Sequence, residues 1–193
     1  MPHNMLLSAN MITLGITGTI GAGKGTIVEY LKTKGFTHYS VRDALLIEIN
    51  RRGIEPTREH MRLVADEMRQ ISPDHIMKEL LRLAQEKGGN SVIESQRALA
   101  EVEFLKATAQ PFYLFAVDAD SKVRYERILE RKSSTDFITY EKFVADEQAE
   151  MNNVEPWKMN LKACIAAADF VFENNGSVED LYKKVEEILQ KIK

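Results

Sequence analysis

The chain has few of the features that mark secreted or membrane proteins. Its 193 residues include a single cysteine, Cys164, which excludes an internal disulfide and fits a reducing compartment. No apolar run reaches the ~18 residues that a membrane-spanning helix needs. The first ten residues, MPHNMLLSAN, contain no basic segment ahead of a long apolar stretch, so we expect a loose N-terminal extension over 1–10 rather than a signal peptide. These absences predict a cytoplasmic protein with no membrane partner.

An excess of positive charge is also absent. The formal net charge is −3 at pH 7, which argues against nucleic acid as a partner but allows a locally basic site for a small anion. The four histidines, His3, His38, His60 and His75, do not have the spacing of metal ligands. The D-x-x-G and N-K-x-D motifs that a GTPase needs do not occur.

Short apolar segments alternate with helical patterns along the chain. Five strands are predicted in the segments MITLGITG, THYSV, SVIES, FYLFAVDA and DFVFENN. This alternation predicts an α/β fold of three layers, in which a parallel five-stranded sheet has helices on both faces. We expect a single domain over 11–193. It has a core of 11–43 and 89–193, a helical insertion at 44–88 that binds the acceptor, and a short lid at about 131–139.

A phosphate-binding loop is predicted between the first strand and the first helix. Gly18, Gly23 and Lys24 satisfy the pattern G-x-x-x-x-G-K. The glycines let backbone N–H groups point inward, and the helix that follows adds the partial positive charge of its N-terminus. A glycine-rich turn with a surface lysine is the alternative. The residues expected to contact the phosphates of ATP are Gly18, Gly21, Ala22, Gly23, Lys24, Gly25 and Thr26.

The continuation G-K-G-T resembles adenylate kinase and its nucleoside monophosphate kinase relatives. The resemblance implies ATP and Mg²⁺ as cofactors, with Thr26 facing the metal directly or through water. The segment YSVRDALL resembles the part of these kinases where a carboxylate faces the acceptor, and Asp43 matches that carboxylate; a helix N-cap is the alternative role. Adenylate kinases carry an acceptor-binding arginine three residues further on, where this chain has Leu46. The neighbouring arginines Arg42, Arg51 and Arg52 are candidates to replace it.

Two further segments resemble the same kinases. VIESQRALAEVEF is similar to their D-G-x-x-R motif, which implies that Glu94 and Arg97 bind the acceptor; a surface ion pair is the alternative. VRYERILERKSS places Arg124, Arg127 and Arg131 on one helical face and resembles the arginine pair beside the lid. The resemblance implies that Arg127 and Arg131 stabilise the transition state. A solvated basic face is the other interpretation.

The C-terminal segment ADFVFENNGSVEDL closely resembles the last strand, loop and helix of dephospho-CoA kinase. In that family the loop lies beside the adenine of ATP, which implies that Asn174, Asn175 and Gly176 contact the base. The same residues also suit a turn followed by a capping box. Other segments, such as RGIEPT, look like a set of short, largely archaeal P-loop proteins labelled as nucleotide kinases.

These resemblances identify a P-loop nucleoside monophosphate kinase-like protein, similar to adenylate kinase and dephospho-CoA kinase. They imply transfer of the γ-phosphoryl group of ATP–Mg²⁺ to a nucleoside or deoxynucleoside monophosphate, or to dephospho-CoA. The catalytic residues would be Lys24, Asp43, Arg127 and Arg131. Two other functions stay open. One is an ATP-binding switch without a small-molecule acceptor, and the other is a P-loop kinase of a non-nucleotide metabolite.

Overall fold

A computed structural model of the chain describes residues 11–131 and 138–192. The predicted N-terminal extension at 1–10 and positions 132–137 of the predicted lid lie outside these residues. Five strands form one parallel sheet in the order β2-β3-β1-β4-β5, which confirms the predicted fold class. The strands are β1 (Thr13–Gly18), β2 (Thr37–Ser40), β3 (Ser91–Glu94), β4 (Phe112–Asp118) and β5 (Phe170–Glu173).

Nine helices in the described residues cover the two faces of the sheet. They are α1 (Lys24–Thr33), α2 (Val41–Arg52), α3 (Arg58–Ile71), α4 (His75–Lys87), α5 (Leu99–Thr108), α6 (Ser121–Arg131), α7 (Tyr140–Met151), α8 (Leu161–Ala166) and α9 (Val178–Ile192). One hydrophobic cluster joins α1 and α9 to β1, β4 and β5, and a second joins α2, α3, α4 and α5 to β3. None of the described helices is both long and apolar enough to cross a bilayer.

The strand order places the phosphate-binding loop at the centre of the molecule. The middle strand, β1, has β3 on one side and β4 on the other. The chain therefore forms β2 and β3 on one side of β1, and β4 and β5 on the other side. In a parallel sheet such a reversal opens a crevice at the carboxyl ends of the strands, where ligands bind. The loop that leaves β1 at Gly18 lies at this crevice, and α2 and α3 of the predicted insertion lie beside it.

A buried ion pair fixes α3 to α5 beneath the crevice. The Arg69 Nε donates to Glu101 Oε1 at 2.8 Å, and the exposed fractions of the two side chains are 1% and 0%. The other Glu101 oxygen accepts the backbone N–H groups of Arg97 and Ala98. Glu101 therefore holds both the guanidinium group of Arg69 and the loop that carries Arg97.

We expect Glu101→Gln to lower the free energy of unfolding by about 3 kcal/mol, because it removes the nearer carboxylate partner of the buried Arg69 charge and leaves only the more distant Asp66, 3.6 Å from Arg69 Nη1. Urea denaturation followed by circular dichroism measures this change. The matched control is Glu103→Gln, a substitution at an exposed position of the same helix, for which we expect a change within about 0.5 kcal/mol. Equal midpoints for the two variants would contradict the assigned role of Glu101.

Candidate functional site

The loop between β1 and α1 curls through three glycines with positive φ. Gly18, Gly21 and Gly23 have φ of 140°, 78° and 110°. A Cβ atom on them would lie 2.0 Å from the Val117 carbonyl oxygen, 2.5 Å from the Arg124 carbonyl oxygen and 2.5 Å from Asn174 Nδ2, respectively. Glycine is therefore favoured at all three positions by backbone conformation, and at Gly18 and Gly21 also by space, because the nearest atoms there are backbone.

Gly25 differs from these glycines because a Cβ atom there would meet nothing within 4 Å. It lies in the first turn of α1, which begins at Lys24 and has no side-chain cap at Gly23. The N–H groups of this first turn lack helical partners and carry the positive end of the helix dipole. A curled glycine loop that leads into such a helix end is an anion site, and its geometry suits the phosphates of a nucleotide.

The side chain of Lys24 folds back across the loop. Its Nζ donates to the carbonyl oxygens of Gly18 and Thr19, both at 2.8 Å. Burial, together with the positive charge of Arg97, lowers the pKa of Lys24 to about 7, although Glu94 and Glu150 act in the opposite direction. The charges of these two glutamates are therefore outweighed, and Lys24 titrates near neutral pH.

A cavity of about 1020 Å³ runs from the phosphate loop to α2 and α3. Eight basic side chains line it against four glutamates in the described part of the chain, although the whole chain has a net charge of −3. The cavity thus concentrates positive charge and suits anionic ligands. Its basic residues are Lys24, Arg42, Arg58, Arg62, Arg69, Arg97, Arg127 and Arg131.

The cavity also contains an arginine–glutamate cluster. Arg97 Nη1 bonds to Glu150 Oε2, and Arg58 Nη2 donates to Glu150 Oε1 at 3.2 Å. Burial alone would raise the pKa of Glu150, but the charges of Arg97 and Arg58 outweigh it and hold that pKa below its ordinary value. Glu150 is thus an ionised carboxylate between two arginines.

Sequence reasoning identified Arg97 and missed the other residues of this cluster. Arg58 and Glu150 were missed, and so was Arg62, which lines the cavity one helical turn after Arg58 on α3. The i, i+4 spacing of the two arginines was the available signal, but such spacing also fits a solvated helix face. Glu150 lies 53 residues from Arg97 in the chain, so nothing in the local pattern pairs them.

Glu94 lines the cavity at the end of β3 and pairs with His38, the second residue of β2. The distance from His38 Nε2 to Glu94 Oε2 is 3.0 Å. Burial raises the pKa of Glu94, but the hydrogen bond from His38 and the charges of Lys24 and Arg97 have the larger combined effect, and the pKa lies below its ordinary value. The cavity therefore contains a carboxylate that stays ionised close to the phosphate loop.

Asp43 is not among the described residues that line the cavity. It is exposed on α2, and its N–H donates to Ser40 Oγ at 3.2 Å. The N-cap of α2 is thus Ser40, so the alternative that Asp43 caps the helix is wrong. Leu46 packs against the second core cluster.

Of the three arginines considered as replacements at the Leu46 position, one reaches the cavity wall. That residue is Arg42. Arg51 and Arg52 both bond to Glu48, and Arg52 also bonds to Glu67. Those two arginines form a surface ion network on α2 and α3.

The predicted adenine loop lies against the phosphate loop. Asn174 is buried, and its Nδ2 donates to the Ala22 carbonyl oxygen at 2.7 Å. Asn175 Oδ1 accepts the Asp120 N–H at 2.8 Å. The Asn174 side chain therefore supports the phosphate loop, and the Asn175 side chain ties the loop to the end of β4.

The three arginines of α6 have different surroundings. Arg124 is buried, with Nη1 bonded to Glu147 Oε1 on α7 at 2.5 Å and to the Ile20 carbonyl oxygen of the phosphate loop at 3.2 Å. Arg127 Nη1 donates to the Asn174 carbonyl oxygen at 2.8 Å. Arg131 lines the cavity from the exposed end of α6. A uniformly solvated basic face does not describe these residues.

Thr26, the predicted metal-facing residue, lines the cavity in the first turn of α1. Within 11–131 and 138–192, no group of three or more His, Cys, Asp or Glu side chains is arranged to hold a metal ion. The hydroxyl of Thr26 and the open loop fit a Mg²⁺ ion held mainly by phosphates and water, as this ion prefers.

Comparison with known proteins identifies the family. The AAA domain family matches residues 14–158. A UPF0200 protein of Staphylothermus marinus is 31% identical over 178 residues, which are 92% of this chain and 90% of that protein. The chain is an AAA-domain protein of the UPF0200 family. It is also 34% identical to a UPF0200/UPF0201 protein of Archaeoglobus fulgidus, of whose length it spans 56%.

Solved structures share the fold of this UPF0200 protein. TT1252 from Thermus thermophilus has a TM-score of 0.63 and 23% identity, covering 96% of this chain and 100% of its own. Shikimate kinase from Acinetobacter baumannii, in complex with shikimate, has a TM-score of 0.58 and 15% identity, covering 95% and 96%. A gluconokinase from Sinorhizobium meliloti has a TM-score of 0.53 and 14% identity, covering 95% and 94%. The fold is thus that of P-loop kinases, a fold that binds nucleotides.

We expect nucleotide binding to take up a proton above pH 7. Free Lys24 has a pKa of about 7 and is mostly neutral at pH 8, whereas bound phosphates would raise its pKa and keep it charged. Uptake should therefore approach one proton at pH 8 and fall towards zero below pH 6, where the lysine is charged in both states. Affinity should weaken as the pH rises above 7.

Titration calorimetry with ADP–Mg²⁺ in buffers of different ionisation enthalpy measures this uptake. Lys24→Met is the control, because it removes the titrating group. The same buffer dependence in wild type and Lys24→Met would exclude Lys24 as the source of the proton effect.

Proposed function

We propose that this protein is an ATP-dependent phosphotransferase that moves the γ-phosphoryl group of ATP to a nucleotide-type acceptor. The observation that carries the proposal is a single cavity with the phosphate loop at one end and an arginine-lined wall at the other. A kinase needs two anionic substrates side by side, with positive charge around the transferred group. A site for ATP alone would not need the second basic wall.

On the donor side, the loop from Gly18 to Thr26 would bind the phosphates of ATP. Lys24 would turn from the carbonyl oxygens of Gly18 and Thr19 to the β- and γ-phosphates. Mg²⁺, when bound, neutralises phosphate charge, and Thr26 would hold it directly or through water. The adenine would lie near Asn174, Asn175 and Gly176, where the Arg127 guanidinium also bonds to the loop.

On the acceptor side, Arg97, Arg58 and Arg62 would bind the anionic group, and Glu94 would face the attacking oxygen. A planar guanidinium group forms paired hydrogen bonds with a phosphate. An acceptor that carries a phosphate, such as a nucleoside or deoxynucleoside monophosphate or dephospho-CoA, matches this wall. Asp43 would take part only if α2 turned, since its side chain is exposed.

Catalysis would rest on positioning and charge, because phosphoryl transfer asks for little covalent chemistry from the protein. Lys24 and Arg131 would stabilise charge on the transferred group, with Arg127 beside them. Closure of the segment around 131–139 would exclude water and limit wasteful hydrolysis.

Two other functions have support from specific observations. The pairing of Arg97 and Arg58 with Glu150 favours an ATP-binding switch whose second basic wall is already neutralised. Structural neighbours named as shikimate kinase and gluconokinase favour a kinase of a non-nucleotide metabolite, because those names state non-nucleotide substrates.

The test is ADP formation from ATP–Mg²⁺ with acceptors added one at a time, using Lys24→Ala as the control. The panel holds AMP, CMP, UMP, GMP, the deoxy monophosphates, dephospho-CoA, shikimate and gluconate. Stimulation by one acceptor, with a phosphorylated product that Lys24→Ala does not make, supports the proposal and names the substrate. Stimulation by shikimate or gluconate alone favours the metabolite kinase. ATP binding without stimulation by any acceptor favours the switch.

A further inference from the structure

Ser95 has a backbone conformation that serine rarely adopts. Its φ is 77°, and it is the one non-glycine residue with positive φ among residues 11–131 and 138–192. This region costs a residue with a Cβ atom roughly 1–2 kcal/mol. Such strain persists where the surrounding structure imposes it, and it occurs often at functional sites.

The neighbouring strand β1 imposes this conformation. The Ser95 N–H donates to the Ile16 carbonyl oxygen at 2.7 Å, and the Gln96 carbonyl oxygen accepts the Thr17 hydroxyl at 2.7 Å. The chain is thus held on both sides of the strained residue. Glycine would adopt this conformation without strain. The feature that serine provides and glycine does not is a hydroxyl group.

The position of Ser95 gives this hydroxyl a role. Glu94 pairs with Ile16 in the sheet register, so Ser95 lies level with Thr17 and Gly18, where the phosphate loop leaves β1. Ser95 lines the cavity together with Lys24 and Arg97. Its hydroxyl makes no hydrogen bond to any part of the chain that the structure describes. A free hydroxyl therefore lies at the boundary between the phosphate loop and the basic wall.

We propose that Ser95 is a catalytic residue whose hydroxyl donates a hydrogen bond to an oxygen of the phosphoryl group as it passes from ATP to the acceptor. The assignment rests on the proposed function, since it places the transferred group between Lys24 and Arg97. A hydrogen bond to such a charged oxygen is stronger than one between neutral groups. Losing it should reduce turnover about 10- to 100-fold.

Two variants separate the hydroxyl from the strain. Ser95→Gly removes both, and Ser95→Ala removes the hydroxyl but keeps the strain. The readout needs no acceptor: it is the affinity for ADP–Mg²⁺ with and without aluminium fluoride, which mimics the transferred phosphoryl group. We expect wild type to bind ADP more tightly with fluoride. In both variants, the ratio of ADP affinity with aluminium fluoride to ADP affinity without it should be at least about 10-fold smaller than in wild type. Their affinity for ADP alone should stay within about 3-fold of wild type.

Thermal melting provides the second readout, because relief of strain should make Ser95→Gly melt above both Ser95→Ala and wild type. If Ser95→Gly melts higher and keeps the full gain from fluoride, serine is only a tolerated residue there and the assignment is wrong, while the proposed function stands. If wild type binds ADP equally well with and without fluoride, the proposed function fails, and the role of Ser95 fails with it.

Discussion

Replacing Lys24 with methionine is expected to reduce phosphoryl transfer by about 10²- to 10³-fold while the protein stays folded. Such losses are typical when one group that stabilises transition-state charge is removed. The lysine is placed for this role because its Nζ lies at the phosphate loop, where it donates hydrogen bonds to the carbonyl oxygens of Gly18 and Thr19, both at 2.8 Å. Methionine keeps the length of the side chain but provides no charge.

The measurement is the rate of ADP formation with saturating ATP–Mg²⁺ and the acceptor that the panel identifies. Lys32→Met is the matched control: Lys32 lies on the same helix, is about half exposed and pairs with its neighbour Glu29. We expect the control to keep the wild-type rate. Circular dichroism spectra and melting curves establish that both variants are folded. A Lys24→Met rate within a few-fold of wild type would exclude the assigned role of this lysine.

Replacing Gly21 with alanine is expected to weaken ATP binding by roughly 100-fold, or about 3 kcal/mol. Gly21 has φ of 78°, and a Cβ atom there would lie 2.5 Å from the Arg124 carbonyl oxygen. The contact is with backbone, so the clash cannot be relieved by a side-chain rotation. The loop would have to open, and its N–H groups would no longer converge on the phosphates.

Gly25→Ala is the control in the same loop. A Cβ atom at Gly25 meets nothing within 4 Å, and alanine in the first turn of α1 should stabilise the fold by about 0.5–1 kcal/mol. Calorimetric titration with ATP–Mg²⁺ compares the two variants. We expect the affinity of Gly25→Ala to stay within about 3-fold of wild type. Similar losses in both variants would show that binding responds to any added methyl group rather than to the curl of the loop.

The sheet and the phosphate loop could be predicted from sequence because their signals are local. Each strand is an apolar run, and the glycines of the loop lie within a few residues of each other. The order of the strands, with β1 at the centre, is not given by these signals, because right-handed helical connections are compatible with several orders. Local signals of this kind suffice for the fold class and for the donor end of the cavity.

The arginine-lined wall of the cavity could not be predicted in the same way because its residues meet only in three dimensions. Asp43 shows the difficulty: the helix begins after Ser40, and Val41, Leu45 and Ile49 are buried. Asp43 follows Val41 by two residues, or about 200° around the helix, so it points away from the buried face. Which side of α2 faces the core depends on packing against other elements. The local motif carries no information about that packing.

The strain at Ser95 is also invisible in the sequence. It arises from hydrogen bonds with β1, a strand that lies almost eighty residues earlier in the chain. A resemblance to D-G-x-x-R at Glu94 and Arg97 draws attention to the residues that match. Two residues lie between them, Ser95 and Gln96, and Ser95 is the one that has positive φ.

Two of the three glutamates of α7, Glu147 and Glu150, have a thermodynamic consequence. Glu147 holds Arg124, which contacts the phosphate loop at Ile20, and Glu150 holds Arg97, which also lines the cavity. A ligand that draws Arg97 away from Glu150 acts on the same helix that contacts the phosphate loop through Arg124. In the proposed kinase, binding of one substrate would then change the free energy of binding the other, and this change would be equal in both directions.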